Sequence, residues 1–344
     1  MGTVAAPPPA INLRDTRERV ADLIRPNPAI YWTDLLASAA TGWTAFALAL
    51  GRPFWSPPHL GLCVIAVLAL YRSAMFIHEL THLPKVALPG FQWTWDALVG
   101  IPLQLPSFMY LGVHLDHHRR TVYGTPADPE YQPFATSPRR RIVRYLLEAP
   151  AIPILLLARF SLLAPLSLLL GPRFRKLVVE RASSLAINWS YRREPPGEAL
   201  RKRWLVSEAL ASAVGLSVIG LTVAGILAPR VLGQWYLVSV SVAVLNQVRT
   251  IGAHRWRNAG VEMDVVSQLL DSVNTPGTLA GLWAPVGLRF HALHHFVPDL
   301  PYHALGKAHR RLVRTLPVES GYARTLSNGM WASLRTLWRE AGRR

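Results

Sequence analysis

The chain has 344 residues, of which 51% are hydrophobic, yet its formal net charge is +17. A mean hydropathy of +0.21 and the alternation of apolar with basic segments are typical of a membrane protein and exclude an ordinary soluble domain. The arginine clusters flank apolar segments and no nucleic-acid-binding module is recognisable, so we expect no nucleic-acid partner. The single cysteine, Cys63, excludes an intrachain disulfide and a CxxC metal site.

Residues 1–33 lack the basic-then-apolar layout of a cleavable signal peptide. We therefore predict a cytoplasmic N-terminal tail over 1–33 and a single membrane domain over 34–344. Nearly all of the positive charge is arginine, which suggests a bacterial source and hence a bacterial plasma membrane.

Four apolar stretches have roughly the 20 residues that a membrane-spanning helix needs. They lie at 34–51, 60–77, 204–228 and 232–250. Turns rich in proline and glycine follow the first and third stretches, so the four predicted spans form two hairpins. The excess of positive charge places the intervening segments on the cytoplasmic side.

Two other apolar segments test this topology. Residues 151–170 are about long enough to span, but a third crossing between His118 and His254 would place the histidines on opposite sides of the membrane. It would also export the arginine-rich stretch 172–203, against the positive-inside bias. We therefore predict an interfacial or re-entrant element for 151–170, and the same for 96–112, which two prolines interrupt.

Eight histidines lie in three short boxes, far more than one metal ion binds. The boxes are His78-Glu-Leu-Thr-His82, His114-Leu-Asp-His117-His118 and His291-Ala-Leu-His294-His295. Neutral imidazole is a good ligand for iron, zinc, copper and nickel, and a four-coordinate site takes at most four, so the count favours two adjacent ions.

Helical geometry explains the spacing within each box. Residues four apart lie one turn apart on the same helix face, so two imidazoles of one box can converge on one ion. His254 follows the fourth predicted span as the first box follows the second, and we predict that it is a ninth ligand. We expect His59, His303 and His309 to be ordinary core or surface histidines.

These observations predict an all-α integral membrane protein with four transmembrane helices in two hairpins and a cytoplasmic cap that carries a di-metal site. The boxes resemble those of the membrane fatty acid desaturase and hydroxylase superfamily, whose members carry an HxxxH box and two HxxHH boxes around a di-iron centre. The resemblance covers about 30 to 310 and includes the flanks of the boxes. These similar stretches run from Arg119 to Asp128, from Asn246 to Trp256 and from Phe296 to His303.

The resemblance implies two iron ions that cycle between Fe²⁺ and Fe³⁺, with molecular oxygen as co-substrate. It implies oxidation of an unactivated C–H bond in a lipid acyl chain, and the flanks favour desaturation. Hydroxylation or ketolation of a lipid or carotenoid is the alternative within the superfamily. In acyl-CoA desaturases an asparagine four residues before the lone histidine also belongs to the metal shell; here that position is Thr250, with Asn246 and Asn258 nearby.

Metal-bound imidazoles need acceptors for their outer N–H groups. We regard the carboxylates near the boxes as candidates for this role: Glu79, Asp116, Asp128, Glu262, Asp264 and Asp271. The chain has no Gly-rich dinucleotide motif, no CxxCH and no HPGG, so electrons must come from an external ferredoxin, cytochrome or flavoprotein.

Two other classes of protein compete with this interpretation. The first box also satisfies HExxH, in which two histidines bind zinc and Glu79 would be the general base of a membrane metalloprotease. A protease, however, has no use for two further boxes. A metal transporter would place its ionisable ligands inside the spans, whereas these boxes follow or separate them.

Overall fold

The computed structural model describes residues 11–84 and 86–342. These residues form helices and isolated bridges, with no β-strand among them. The α-helices α1 to α16 are, in order, Leu13–Val20, Pro28–Leu50, Pro57–His82, Phe91–Trp95, Val113–His118, Arg140–Leu147, Ala151–Ala158, Ala164–Leu169, Pro172–Ala182, Glu198–Val223, Pro229–Ala253, Val265–Asp271, Ala280–Trp283, His291–Phe296, Tyr302–Thr315 and Met330–Glu340. Asp96–Gly100 and Arg159–Leu163 are π-helical, the second joining α7 to α8.

Four helices of the described chain are long and apolar enough to cross a membrane. They are Pro57–His82, Ala151–Leu169, Glu198–Val223 and Pro229–Ala253. The first, third and fourth of these coincide with three of the predicted spans. The chain is therefore an all-α integral membrane protein, as the sequence indicated. The arrangement in two hairpins and the cytoplasmic position of the cap stay predictions.

The remaining predicted span, 34–51, lies in α2 apart from its last residue, and α2 is not among those four helices. Helix α2 carries polar residues, and Asp34 accepts a hydrogen bond of 2.6 Å from Arg72 of α3. The two helices pack closely, because a Cβ atom at Gly42 would lie 2.6 Å from Cγ of Leu70. Their shared apolar face forms the largest core of the described chain, together with α11.

The segment Ala151–Leu169 is long enough to span, yet both of its flanks contact the histidine-bearing part of the chain. On one side, Tyr145 packs in the same core as Trp256, whose ring lies against that of His254. On the other side, the side-chain amide of Asn188 donates to the backbone oxygen of Asp128. The segment thus leaves the histidine region and returns to it, as an interfacial or re-entrant element does; its depth in the membrane stays a prediction.

The segment 96–112 also leaves and returns on the histidine side. It starts shortly after the first box, and α5 with the second box follows it directly. In between, its backbone oxygens at Leu98 and Pro102 accept hydrogen bonds from the indoles of Trp43 and Trp235, at 2.7 and 2.9 Å. These contacts lie toward the ends of α2 and α11 that are remote from the histidines. The interfacial or re-entrant position of the segment stays a prediction.

Part of the predicted N-terminal tail 1–33 is folded against the rest of the chain, and its cytoplasmic location stays a prediction. Residues 1–10 lie outside the described residues. From Ile11 onward the chain packs, since Ile11, Val20 and Leu23 are buried against Leu305 and Leu312 of α15. Helix α2 already begins at Pro28, where the Asn27 side chain accepts from the Ala29 N–H. Most of the described part of this segment is therefore integrated into the fold.

Candidate metal centre

The first histidine box occupies the last turns of α3. Helical spacing places the rings of His78 and His82 on one face, with centroids 5.3 Å apart. The helix ends immediately afterwards, as Leu83 takes an extended conformation. Both imidazoles thus project from the end of a long apolar helix.

The other two boxes lie on short helices, and the irregular backbone before each helix sets its direction. Gly112, with φ of 89°, precedes α5 and redirects the chain into the second box. The third box forms α14, and His254 follows the last residue of α11 in an extended conformation. Four separate elements therefore bring histidines to one region.

The nine histidines form two groups, and within each group one ligand atom per residue lies within 4.8 Å of all the others. The five-histidine group contains His78, His82, His114, His118 and His294. The four-histidine group contains His117, His254, His291 and His295. Every histidine that the sequence predicted as a ligand belongs to one of them. Each group could hold a metal ion, and two groups match the expected two ions.

The distances between ring nitrogens fit coordination. In the five-histidine group, Nε2 of His118 lies 3.0 Å from Nε2 of His114 and 3.2 Å from that of His294. In the four-histidine group, Nε2 of His291 lies 2.9 Å from that of His254 and 3.1 Å from that of His295. Ligand nitrogens at right angles on an ion about 2.1 Å away are themselves about 3 Å apart.

Several buried ring nitrogens in these groups have no hydrogen-bond partner in the described chain. They include both nitrogens of His78 and Nε2 of His82. Buried polar atoms are almost always satisfied, because an unpaired one costs about 1–3 kcal/mol. A metal ion in the five-histidine group would satisfy Nε2 of His82 and one of the two nitrogens of His78.

The environment favours the neutral form of the imidazoles, which is the form that binds metals. Burial lowers the pKa of His114, His118 and His294 well below the ordinary value, and the neighbouring imidazoles add to the effect. His117 differs. Burial acts to lower the pKa of His117, but the charge of Asp128 and the hydrogen bond to it, together with the charges of Glu130 and Asp271, raise the pKa above the ordinary value.

Two carboxylates accept hydrogen bonds from the second box. Nδ1 of His117 lies 2.9 Å from both oxygens of Asp128, as the sequence predicted for that aspartate. Nδ1 of His114 lies 2.7 Å from Oε1 of Glu130, which the sequence analysis missed. The only available signal was its position two residues after Asp128. With Nδ1–H donating outward, Nε2 of each ring faces the metal group.

Asp271 is linked to the candidate metal centre by hydrogen bonds from tyrosine side chains. Nδ1 of His254 lies 2.9 Å from the Tyr123 hydroxyl, which in turn lies 3.3 Å from Oδ2 of Asp271. Tyr131 donates to the same oxygen at 2.9 Å. Burial raises the pKa of Asp271 above its ordinary value. The predicted proximity to the histidines is therefore observed, with Tyr123 in between.

Glu79 of the first box is buried, and its carboxylate bonds to protein groups. Its Oε2 accepts hydrogen bonds from the Tyr31 hydroxyl and, at 3.1 Å, from the backbone N–H of Tyr302. Its other oxygen lies 4.0 Å from Nδ1 of His78. Glu79 thus links the first box to α2 and to the chain that follows the third box.

The other three predicted carboxylates have different positions from those expected. Asp116 projects from the opposite face of α5 and accepts from the Tyr191 hydroxyl at 2.7 Å. Asp264 caps α12 by accepting from the Ser267 N–H at 2.7 Å. Glu262 is exposed. Their proximity in sequence did not bring them into contact with the imidazoles, because Asp116 points away from them on its own helix and Asp264 bonds to the start of α12.

The histidines that were predicted not to be ligands lie outside both groups. His59 is at the opposite end of α3. His303 accepts from the Asn27 N–H, and Nδ1 of His309 lies 2.9 Å from the Tyr322 hydroxyl.

The asparagines considered for the metal shell bind protein groups. Oδ1 of Asn246 accepts from Arg249, and the Asn258 side chain donates to the Val261 backbone oxygen.

Two comparisons with known proteins agree with this geometry. The sequence profile of the fatty acid desaturase family matches residues 53–326, well over half of the chain. A ceramide hydroxylase of Caulobacter vibrioides (strain NA1000 / CB15N) is 40% identical over 335 residues, which cover 95% of this chain and 93% of the relative. All nine histidines lie within the stretch that the family profile matches.

Proposed function

Because the chain belongs to the fatty acid desaturase family and is a membrane oxidoreductase of lipids, we propose that it hydroxylates a ceramide-like lipid at a di-iron centre. The single observation that carries the proposal is the pair of histidine groups, five and four residues strong, in a chain that is similar over nearly its whole length to a ceramide hydroxylase.

The proposed iron ligands are the nine grouped histidines. Two irons held by neutral imidazoles would supply reduction of dioxygen and removal of hydrogen from an unactivated C–H bond. In the net reaction one oxygen atom enters the lipid as a hydroxyl and the other leaves as water, while a separate donor supplies two electrons and the solvent supplies two protons. A ferredoxin, cytochrome or flavoprotein fits that role.

The protein groups around the histidines have a separate task. Asp128 and Glu130 hold the imidazoles of His117 and His114 with Nε2 facing inward. Tyr123 does the same for His254. Fixing the ring orientation in advance keeps both metal groups in place as the charge of the centre changes during a reaction cycle.

Desaturation of an acyl chain is the second candidate, which the flanks of the boxes and the family profile favour. Both reactions begin with removal of hydrogen and differ in what happens at the neighbouring carbon. We propose hydroxylation as the first candidate because the 40% identical relative is a ceramide hydroxylase. We further propose that the histidine side faces the cytoplasm of a bacterial plasma membrane, because the arginine clusters lie on that side.

The test is lipid oxidation by purified, iron-loaded protein in lipid nanodiscs with a reducing system, ceramide and ¹⁸O₂. Hydroxylation adds one labelled oxygen atom to the ceramide, whereas desaturation removes two hydrogens and adds no label, and mass spectrometry distinguishes the two. The His82→Ala variant is the control for background oxidation. Unlabelled, doubly dehydrogenated product would overturn hydroxylation in favour of desaturation.

A further inference from the structure

Arg249 is a buried arginine in α11, five residues before His254. Its side chain is only 8% exposed, and it lies near the histidine end of a helix that is long and apolar enough to span the membrane. A buried charge in such a helix is costly and commonly marks a functional site.

The guanidinium of Arg249 is incompletely bonded. Nη2 donates to Oδ1 of Asn246 at 2.7 Å, and the Tyr71 hydroxyl is also within hydrogen-bonding reach. Nε is buried with no partner in the described chain. Arg159, the buried arginine of another membrane-length helix, differs because Glu208 forms an ion pair with it. Arg249 has no such carboxylate within ion-pair distance among the described residues.

Arg249 lies beside the metal centre because of its place in α11. It precedes His254 by five residues, roughly 7.5 Å along the helix axis, and α11 ends at Ala253, immediately before that histidine. Arg249 therefore lies close to the four-histidine group.

We infer that Arg249 binds an oxygen atom of the lipid substrate, a hydroxyl or an amide carbonyl, next to the metal groups. This inference rests on the proposed function. A guanidinium offers five N–H donors in a fixed plane, and Nε of Arg249 still lacks an acceptor. A substrate that presented only methylene groups there would leave the charge unsatisfied. Oxidation therefore occurs at a carbon near the polar head group, rather than in the middle of the chain.

The experiment compares Arg249→Met and Arg249→Lys with the unmodified protein in iron-loaded nanodiscs. Arg230→Met is the matched control, since Arg230 lies on the same helix at its exposed, remote end. The substrates are a ceramide, a free fatty acid and an alkane of equal chain length without oxygen. The readouts are kcat and KM separately, the position of the new hydroxyl, and iron per chain.

We expect Arg249→Met to lower kcat/KM for ceramide roughly 10–100-fold, the range for losing hydrogen bonds to a charged group, chiefly through a higher KM. The hydroxyl should scatter along the chain, alkane oxidation should be unchanged, and iron should stay at the unmodified level. Arg249→Lys should recover part of the loss, and the control Arg230→Met should show no loss. If the free fatty acid alone responds, the group bound is a carboxylate, and the assignment to a hydroxyl or amide oxygen is wrong.

Equal losses for ceramide and alkane, or loss of iron in both Arg249 variants, would assign Arg249 a structural role and overturn the inference. Unchanged kinetics and a single product position in Arg249→Met would overturn it as well. Failure of the proposed function looks different, because the unmodified protein would then not hydroxylate ceramide at all. The same comparison would be made on whichever lipid the unmodified protein does oxidise.

Discussion

The carboxylate of Glu130 lies 2.7 Å from Nδ1 of His114, and its second oxygen accepts from the Tyr110 hydroxyl at 2.9 Å. Glu130 therefore fixes the orientation of a histidine in the five-histidine group. We expect Glu130→Ala to weaken metal binding 10–100-fold, the usual effect of losing such an acceptor. Metal retained after dialysis against graded chelator concentrations measures this.

Glu148→Ala is the matched control, since Glu148 bonds Arg144 and Trp189 away from the histidines. Equal metal retention in Glu130→Ala, Glu148→Ala and the unmodified protein would contradict the orienting role of Glu130.

The two histidine groups predict two separately removable metal ions. Replacing His291 and His295 by Ala leaves two ligands in the four-histidine group, too few to hold an ion firmly. We expect elemental analysis to find about one iron per chain instead of about two, and lipid oxidation to be abolished. The protein should remain in the membrane, because apolar helices rather than the metal hold it there. Active protein with one zinc and no iron would contradict the di-iron centre.

Glu79 separates the oxidase from the metalloprotease interpretation. Its carboxylate accepts hydrogen bonds from Tyr31 and from the Tyr302 backbone, so it is engaged in structure rather than free to activate water. We expect Glu79→Gln to keep its iron and to retain measurable lipid oxidation. Under the protease interpretation the same change removes the general base and all activity. Iron content and product formation, measured on one preparation, decide between the two.

The return of both flanks of Ala151–Leu169 to the histidine region predicts the membrane topology. In a Cys63→Ser background, single cysteines at Pro57 and Arg230 should react with a membrane-impermeant thiol reagent applied to intact cells. A cysteine at Arg192, which is exposed in the structure, should react only after the cells are opened. Labelling at Arg192 in intact cells would mean that Ala151–Leu169 crosses the membrane.

Local sequence was sufficient to predict most of the membrane-length helices and the histidines that come together in the two groups. Helix length and apolar content are local properties, and they indicated three of the four helices that can cross a membrane. The segment 34–51 was harder to classify from local sequence, because the charge of Asp34 is satisfied by Arg72 of another helix. The spacing of the boxes was likewise local, since a helix brings residues four apart to the same face.

Only the tertiary structure decided how the histidines are shared between the groups. In the second box His114 and His118 join the five-histidine group, while His117 joins the other. In the third box the assignment is reversed: His291 and His295 belong to the four-histidine group and His294 to the five-histidine group. Successive residues of a helix point about 100° apart, so one box serves two groups, but which group each histidine joins depends on how the helices pack.

The same limit explains what the sequence missed around the site. It identified Asp128 by its proximity to the second box and placed Asp264 in the same category, but Asp264 caps a helix. It gave no indication of Glu130, or of the buried position of Arg249 beside the histidines. The histidines were recognisable from spacing along one helix, whereas the contacts of Glu130 and Arg249 join residues that only folding brings together.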